Sequence, residues 1–304
     1  MMKAWVLHGI NDLKLDEVPA PMPHGEEVLV EVKAAGICSS DVPRVYSTGA
    51  YNYPIILGHE FSGLTSGGYR VGVFPLLPCH NCESCRVHHY ETCSDYKYLG
   101  SRQDGAFAEY VAVPKWNLVI LPDSMTYEQA SLLEPAAVAL HAVHRLDMSD
   151  IKSVAVVGDG TIGRLIVKWL SILEVSTVAI FGRDDTMPHD HFDACLEAVG
   201  TTDALRRCIE LVKPNGQLVL VGNPYAAFNI DQNLYWQILR KQIDVKGSWN
   251  SSYPEDWHEV LENADELHLD CYISHRYYFR NLAMAFELIH DKTERHGKVI
   301  VTLD

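Results

Sequence analysis

Four cysteines lie close together in the chain, and their spacing constrains its fold more than any other feature. They occupy positions 79, 82, 85 and 93, in the pattern C-x2-C-x2-C-x7-C. Thiolates spaced in this way can converge on one tetrahedral Zn²⁺ and close a loop around it. The loop has few core residues of its own, so we expect the metal to supply its folding energy. The alternative is a pair of disulfides, which the absence of a recognisable secretory signal disfavours.

The composition limits the classes of partner. With 304 residues and 47% hydrophobic content, the chain can form one or two globular domains. No apolar run approaches the roughly 20 residues of a membrane helix. The formal net charge of −15 disfavours nucleic acid and anionic membranes as partners, although a few local cations could still bind an anionic substrate. We therefore expect a cytoplasmic protein that binds neither nucleic acid nor membranes.

The sequence changes texture near residue 120. The earlier part consists of short β-branched runs broken by Gly, Pro and Asn, such as Val28–Val32 and Phe107–Val113. Thr126 is a candidate N-cap for a helix over Tyr127–His144, and strands and helices alternate after it. Strands are predicted at Ser153–Val157, Val178–Phe181, Ala194–Ala198, Gln217–Val221 and Lys298–Thr302. This order predicts an α/β chain, with a mainly β domain and a doubly wound parallel sheet.

A glycine-rich turn follows the first strand of the predicted parallel sheet. The segment Gly158-Asp159-Gly160-Thr161-Ile162-Gly163 has the G-x-G-x-x-G pattern, between a buried strand and an apolar helix. In this context Gly158 permits the tight turn, Gly160 lets a pyrophosphate approach the backbone, and Gly163 lets helix and strand pack closely. The helix then begins at Thr161 and Ile162 and directs its N-terminus at the phosphates. The segment predicts a dinucleotide site.

The residues after the second strand leave the choice between NAD and NADP open. An NAD enzyme usually has an acidic residue at the end of this strand, whereas this strand ends at Phe181. Arg183 could bind the 2′-phosphate of NADP, and Asp184 or Asp185 could instead bind the ribose of NAD. Arg183 could equally be a solvated turn residue. Our hypothesis is that NADP is accepted.

Residues of a second metal site are distributed over three segments. Cys38, His59 with Glu60, and Glu134 are ligand types that suit a catalytic zinc with one open position. Each residue taken singly has an ordinary structural explanation. Together, however, they carry a resemblance to the zinc-dependent medium-chain dehydrogenase/reductase (alcohol dehydrogenase) family. The segments that carry it are GICSSD at 36–41, GHEFSG at 58–63, the four-cysteine lobe, LEP at 133–135 and the glycine-rich turn.

The resemblance implies a fold and a set of roles. A GroES-like catalytic domain would comprise residues 1–122 and 273–304, with the lobe at 79–93, and a Rossmann domain residues 123–272. Two zinc ions would bind each chain. The catalytic zinc would be bound by Cys38, His59 and Glu60, with Glu134 as a further ligand or close neighbour, and the structural zinc by Cys79, Cys82, Cys85 and Cys93. Ser40 would accept the proton of the substrate hydroxyl, and NAD or NADP would accept the hydride.

Within the family, the sequence is most similar to the polyol and polyol-phosphate dehydrogenases. A phosphorylated substrate needs cationic donors, for which Arg44 and Arg102 are the main candidates, followed by Lys292 and Arg295. The alternatives are a dehydrogenase of free sugar alcohols or of threonine and, from another class, a non-catalytic nucleotide-binding protein. The family also implies a homodimer or homotetramer formed at sheet edges, with Val219–Val221 and the stretch before Trp249 as candidates.

Two stretches are shorter than the family pattern. The chain passes from Ser66 to Gly67 where the family has a longer excursion, and only six residues separate Asp185 from Phe192. A βαβ unit takes roughly 30 residues, so six cannot form one. Either the nucleotide domain is truly reduced, or residues are missing from the sequence at these points. Loss of a strand would expose sheet edge and core, so we favour missing residues and expect breaks in the chain there.

Overall fold

A computed structural model describes residues 1–291 and 294–303 of the chain, so the candidate Lys292 lies outside the described residues. The chain forms two compact units. The first contains Met1–Glu134 and the chain from Tyr253 onward, and the second contains Pro135–Ser252. Within the described part, no helix is both long and apolar enough to cross a bilayer.

The described residues form seventeen β-strands and ten α-helices. The strands are β1 Met2–Gly9, β2 Asp12–Val18, β3 Glu27–Ile37, β4 Ile55–Ile56, β5 Glu60–Thr65, β6 Arg70–Val73, β7 Leu76–Leu77, β8 Lys97–Tyr98, β9 Tyr110–Pro114, β10 Leu118–Ile120, β11 Ser153–Val157, β12 Thr177–Phe181, β13 Phe192–Glu197, β14 Val212–Leu220, β15 Asp244–Gly247, β16 Ile273–Tyr278 and β17 Lys298–Thr302. The α-helices are α1 Asp41–Tyr46, α2 Glu83–Arg86, α3 Tyr127–Ala130, α4 Leu133–His144, α5 Thr161–Ile172, α6 Thr202–Leu211, α7 Gln232–Lys241, α8 Glu255–Glu262, α9 Ala264–Leu267 and α10 Leu282–Asp291.

The first unit is mainly β, as predicted. Its main sheet has the order β10-β6-β5-β3-β17-β16, with β9 paired to β3, and a smaller sheet has the order β2-β1-β4. The antiparallel pairing of β3 with β5 sets Gly36 opposite Glu60. Apolar side chains from the sheets and from α10 form one core, in which Phe107 and Phe286 pack edge to face with ring centroids 5.7 Å apart. The ends of β3 and β5 thereby carry the GICSSD and GHEFSG segments on a rigid base.

The second unit is the predicted parallel sheet, with the order β12-β11-β13-β14-β15. All five residues of β11 are buried, as expected for a central strand covered on both faces. The Asp193 carboxylate on β13 accepts hydrogen bonds from the backbone N–H groups of Lys152 and Ser153, at 3.0 and 2.8 Å, and so fixes the start of β11. The strand that leads into the glycine-rich turn is therefore held from both sides.

The boundaries between the units differ from the predicted ones at 122/123 and 272/273. Residues 123–134 belong to the first unit because the Ser62 hydroxyl donates to the Tyr127 carbonyl at 2.6 Å. The chain from Tyr253 onward also belongs there, and the Tyr253 ring stacks on the Phe74 ring with centroids 4.5 Å apart. The predicted helix over Tyr127–His144 is two helices, α3 and α4, and Thr126 caps the first with a capping box.

Both short stretches form ordered connections, and the absence of residues from the sequence at these points stays a prediction. At the first, β5 and β6 are joined by a tight turn in which the Gly68 N–H donates to the Thr65 carbonyl at 2.9 Å. At the second, the Asp190 and His191 N–H groups bond to the carbonyls of Glu210 and Leu211, each at 2.9 Å. In this structure the sheet of the nucleotide unit has the order given above, and β12 is an edge strand.

Candidate metal centres and cofactor site

The first unit brings Cys38, His59 and Glu60 together. One ligand atom from each lies within 4.8 Å of the others, and both His59 and Glu60 are buried. Cys38 follows the end of β3, and the other two residues stand at the start of β5, so the pairing of these strands assembles the group. A thiolate, an imidazole and a carboxylate at this separation fit one Zn²⁺ with a position open to substrate. The arrangement matches the set predicted from the sequence.

A buried carboxylate supports the imidazole of this cluster. The Oδ1 atom of Asp41 lies 3.6 Å from Nδ1 of His59, and Asp41 is fully buried. Neither His59 Nδ1 nor Asp41 Oδ2 has a hydrogen-bond partner among the described residues. Burial opposes a proton on His59, but Asp41 and Cys38 favour it, and the pKa of the imidazole rises to about 10. The surroundings thus favour positive charge at this point, and a metal ion bound to His59, with Asp41 orienting the imidazole, would supply it.

Two buried carboxylates near the cluster have different partners. Lys298 on β17 places its ammonium 2.6 Å from each oxygen of Glu60, and both side chains are buried. Glu134 instead accepts a hydrogen bond from the Tyr98 hydroxyl at 3.0 Å and is not part of the three-residue group. The pKa of Glu134 is raised to about 7, because the effect of burial outweighs the positive charge of His59, which lowers the pKa. The sequence analysis missed Lys298 and Tyr98, since neither occurs in a motif with the residue it contacts.

The candidate proton acceptor, Ser40, lies at the start of α1. Its Oγ accepts a hydrogen bond from Nη1 of Arg44 at 3.0 Å. The same Arg44 nitrogen donates to the Ser40 carbonyl at 2.9 Å and to Asp41 Oδ1 at 3.1 Å. Arg44, proposed from the sequence as a phosphate ligand, is therefore engaged with Ser40 and Asp41.

The four cysteines of the lobe converge as their spacing predicts. Their sulfurs lie within 4.8 Å of one another, with 3.5 Å between Cys82 and Cys85, 3.8 Å between Cys82 and Cys93 and 4.0 Å between Cys79 and Cys85. A Zn–S bond of about 2.3 Å in a tetrahedron requires sulfurs about 3.8 Å apart, whereas a disulfide requires about 2.05 Å. The distances fit a zinc site and exclude the disulfide alternative, and none of the eight cysteines is paired.

Backbone amides prepare two of these thiols for a metal. The N–H groups of Cys85 and Ser94 lower the pKa of Cys82 to about 6, and those of Asn81 and Cys82 lower the pKa of Cys79. Thiolates are the form that binds Zn²⁺, so these hydrogen bonds favour the metal-bound state. Of the cysteines outside both groups, Cys195 and Cys208 are buried and Cys271 is exposed.

The glycine-rich turn in the second unit has the geometry that its pattern predicts. Gly158 adopts a φ of +117°, which an L side chain rarely allows. A Cβ on Gly163 would meet the Gly158 carbonyl oxygen at 1.8 Å, whereas a Cβ on Gly160 would meet no atom within 4 Å. The turn therefore packs tightly against α5 and leaves open space in front of Gly160, beside Thr161 and Ile162 at the helix N-terminus. This space fits a dinucleotide pyrophosphate.

One acidic group that the sequence analysis overlooked lies beside the turn after β12. A Cβ on Gly182 would lie 3.4 Å from Oδ2 of Asp159, so this carboxylate reaches the end of β12 from the glycine-rich turn. Asp185 folds back and accepts the Gly182 N–H at 2.7 Å. The Arg183 side chain is exposed, and its carbonyl is held by Arg207 at 3.0 Å. A search for an acid at the strand end could not find Asp159, because it lies at an internal position of the motif.

Comparison with known proteins identifies the family. The alcohol dehydrogenase GroES-like domain model matches residues 24–123, and the zinc-binding dehydrogenase model matches residues 182–266. Galactitol 1-phosphate 5-dehydrogenase of Escherichia coli strain K12 is 32% identical over 330 aligned positions, which cover 94% of this chain and 95% of the relative. The chain belongs to the zinc-binding alcohol dehydrogenase family. Its function is oxidation or reduction of an alcohol or polyol, and the family resemblance predicted from the motifs is confirmed.

Further similarities agree with this assignment. The crystal structure of galactitol-1-phosphate dehydrogenase from Escherichia coli has a TM-score of 0.90 at 32% identity, covering 99% of this chain and all of that chain. Sorbitol dehydrogenase of Bacillus subtilis strain 168 is 29% identical, in an alignment that covers 84% of this chain and 84% of the relative. The alignment of 330 positions is longer than this chain of 304 residues, so the Escherichia coli relative has segments that this chain lacks. The mainly β GroES-like unit and the Rossmann unit are both as predicted.

Proposed function

We propose that this dehydrogenase oxidises a polyol phosphate of the galactitol 1-phosphate type to the ketose phosphate, with NAD or NADP as hydride acceptor. The observation that carries the proposal is the close group of Cys38, His59 and Glu60, whose ligand types suit a catalytic zinc. The substrate class is supported by the 32% identity to galactitol 1-phosphate 5-dehydrogenase along nearly the whole chain. The free thiols of the chain suit the reducing cytoplasm, where we expect the enzyme to work.

The residues of the first unit would divide the chemistry between them. A zinc ion on Cys38, His59 and Glu60 would polarise the alcohol oxygen, and a nicotinamide cofactor would accept the hydride. Ser40 would accept the proton of the substrate hydroxyl. Because Arg44 already donates to the Ser40 oxygen, the serine hydroxyl is held in one orientation during that transfer. Glu60 would be kept in place by its ion pair with Lys298.

A substrate panel tests the proposal. Zinc per chain is counted, and the reduction of NAD⁺ and NADP⁺ is followed with galactitol 1-phosphate, galactitol, sorbitol and threonine. We expect two zinc ions per chain and a kcat/KM at least about 100-fold higher for galactitol 1-phosphate than for galactitol, because a bound phosphate adds charged hydrogen bonds. Equal turnover of galactitol would favour a sugar-alcohol dehydrogenase. No turnover of galactitol 1-phosphate with either cofactor would overturn the proposal.

The choice of cofactor depends on the turn after β12, and we propose that Arg183 lets the enzyme accept NADP. The exposed Arg183 side chain has no hydrogen bond or ion pair within the described ranges, so it is available to a 2′-phosphate. Arg183→Ala should lower kcat/KM with NADP by about tenfold or more and leave NAD use within about twofold. Arg240→Ala, at an exposed arginine that stacks on Trp236, is the control. Unchanged NADP kinetics would instead point to the Asp159 carboxylate and to NAD.

The oligomeric state remains a prediction. Because β14 has a neighbour on each side, Val219 and Leu220 cannot form a sheet edge, contrary to our expectation. The other predicted segment ends in β15, which is an edge strand with Val245 exposed. We propose that a homodimer or homotetramer forms through this edge.

A further inference from the structure

Two arginines of the first unit were candidates for binding a substrate phosphate, and the structure separates them. The Nη1 atom of Arg44 donates to three oxygens of Ser40 and Asp41, and its side chain is only 19% exposed. Arg102 is exposed and makes neither a side-chain hydrogen bond nor an ion pair within residues 1–291 and 294–303. Its N–H donors are therefore available to a ligand.

Two tyrosine rings hold the guanidinium of Arg102. Its central carbon lies 5.0 Å from the ring centroid of Tyr51 and 4.5 Å from that of Tyr96. Stacking of this kind restricts the long side chain and leaves the N–H donors at the edge of the guanidinium plane. An arginine that is oriented in advance loses less entropy when it binds an anion.

The turn that carries Arg102 is anchored beside the proposed zinc ligands. The Arg102 N–H donates to the Tyr98 carbonyl at 2.9 Å, and the Tyr98 ring lies 5.6 Å from the His59 ring. The turn packs directly on the residue before His59, since a Cβ on Gly105 would lie 2.1 Å from the Gly58 carbonyl oxygen. Tyr96, which stacks on Arg102, has its centroid 6.4 Å from that of Tyr98. A continuous series of contacts thus connects the guanidinium to the zinc-ligand cluster.

We propose that Arg102 binds the phosphate group of the substrate and sets the preference for phosphorylated polyols. The inference rests on the polyol-phosphate activity proposed above. A guanidinium can donate two parallel hydrogen bonds to phosphate oxygens, and a chain with a net charge of −15 needs an uncompensated local cation to hold a dianion. In this arrangement the carbinol carbon would lie at the zinc-ligand cluster and the phosphate would lie at Arg102.

Variants of Arg102 test this inference. Arg102→Gln removes the charge and keeps much of the length, and Arg102→Lys keeps the charge without the planar fork. We expect Arg102→Gln to lower kcat/KM for galactitol 1-phosphate by about 10- to 100-fold, mainly through KM, and to leave kcat/KM for galactitol unchanged. For galactitol 1-phosphate, the kcat/KM of Arg102→Lys should lie between those of wild type and Arg102→Gln. Arg280→Gln is the matched control, because Arg280 is also exposed and stacks on a tyrosine, Tyr278, at 5.2 Å.

Inorganic phosphate separates this inference from the proposed function. Its binding is measured by calorimetry in wild type, Arg102→Gln and Arg280→Gln, after thermal unfolding has shown that all three are folded. Weaker phosphate binding in Arg102→Gln alone supports the site, even if wild type oxidises none of the polyol phosphates and the proposed function fails. Equal phosphate binding in all three proteins, or an equal loss of kcat/KM for galactitol and galactitol 1-phosphate, overturns it.

Discussion

Replacing Cys85 by serine is expected to remove one zinc ion per chain and unfold the cysteine lobe. The Cys85 sulfur is buried and lies 3.5 Å from that of Cys82 and 4.0 Å from that of Cys79. Structural zinc contributes about 10–16 kcal/mol to small zinc-binding peptides, so loss of one ligand removes much of the free energy that orders the lobe. We expect the free energy of unfolding to fall by more than about 4 kcal/mol.

The zinc content and the thermal unfolding temperature measure this effect together. Cys271→Ser is the control, because Cys271 is exposed and belongs to neither of the two candidate zinc sites. Removal of zinc from wild type with a chelator should also make five further thiols reactive without any reductant, namely Cys38 and the four thiols of the lobe. A Cys85→Ser protein that keeps two zinc ions and the wild-type unfolding temperature would contradict the assignment of the lobe.

Replacing His59 by alanine is expected to abolish catalysis and to leave the cysteine lobe intact. Polarisation of an alcohol oxygen by zinc contributes several kcal/mol to the transition state, so we expect kcat to fall by at least about 10³-fold. The variant also removes the imidazole that balances the buried Asp41 carboxylate. Its zinc content should fall from two ions to one, because the ligands of the lobe are unchanged.

The activity, the zinc content and the unfolding temperature distinguish a chemical role of His59 from a structural one. His24→Ala, at an exposed histidine outside both groups, is the control. Loss of activity with one remaining zinc and a cooperative unfolding transition supports the catalytic assignment. Two bound zinc ions, or activity within about tenfold of wild type, would show that Cys38 and Glu60 do not share a metal with His59.

Local patterns determined the fold class and the zinc ligands of the cysteine lobe. Cysteines three residues apart must come close whatever surrounds them, so C-x2-C-x2-C fixes most of the lobe before tertiary contacts are known. The strand, glycine-rich turn and helix around Gly158 are likewise contiguous, and their order alone predicts the Rossmann unit. Cys38 and His59 are separated in sequence, and their association could be expected only through the family resemblance.

The tertiary structure decided which residues support these groups, because the partners lie far apart in sequence. Lys298 reaches Glu60 only because β17 pairs with β3, which in turn pairs with β5. The contact of Asp159 with Gly182 depends on parallel pairing of β11 with β12, and no local pattern contains it. Arg44 and Arg102 were both candidate phosphate ligands in the sequence, and the structure separates them. Arg44 lies one helical turn from Ser40 and bonds to it, whereas the exposed Arg102 stacks on tyrosine rings. The sequence determined the ligand types, and the packing of distant strands determined which charged groups are engaged and which are free to bind a substrate.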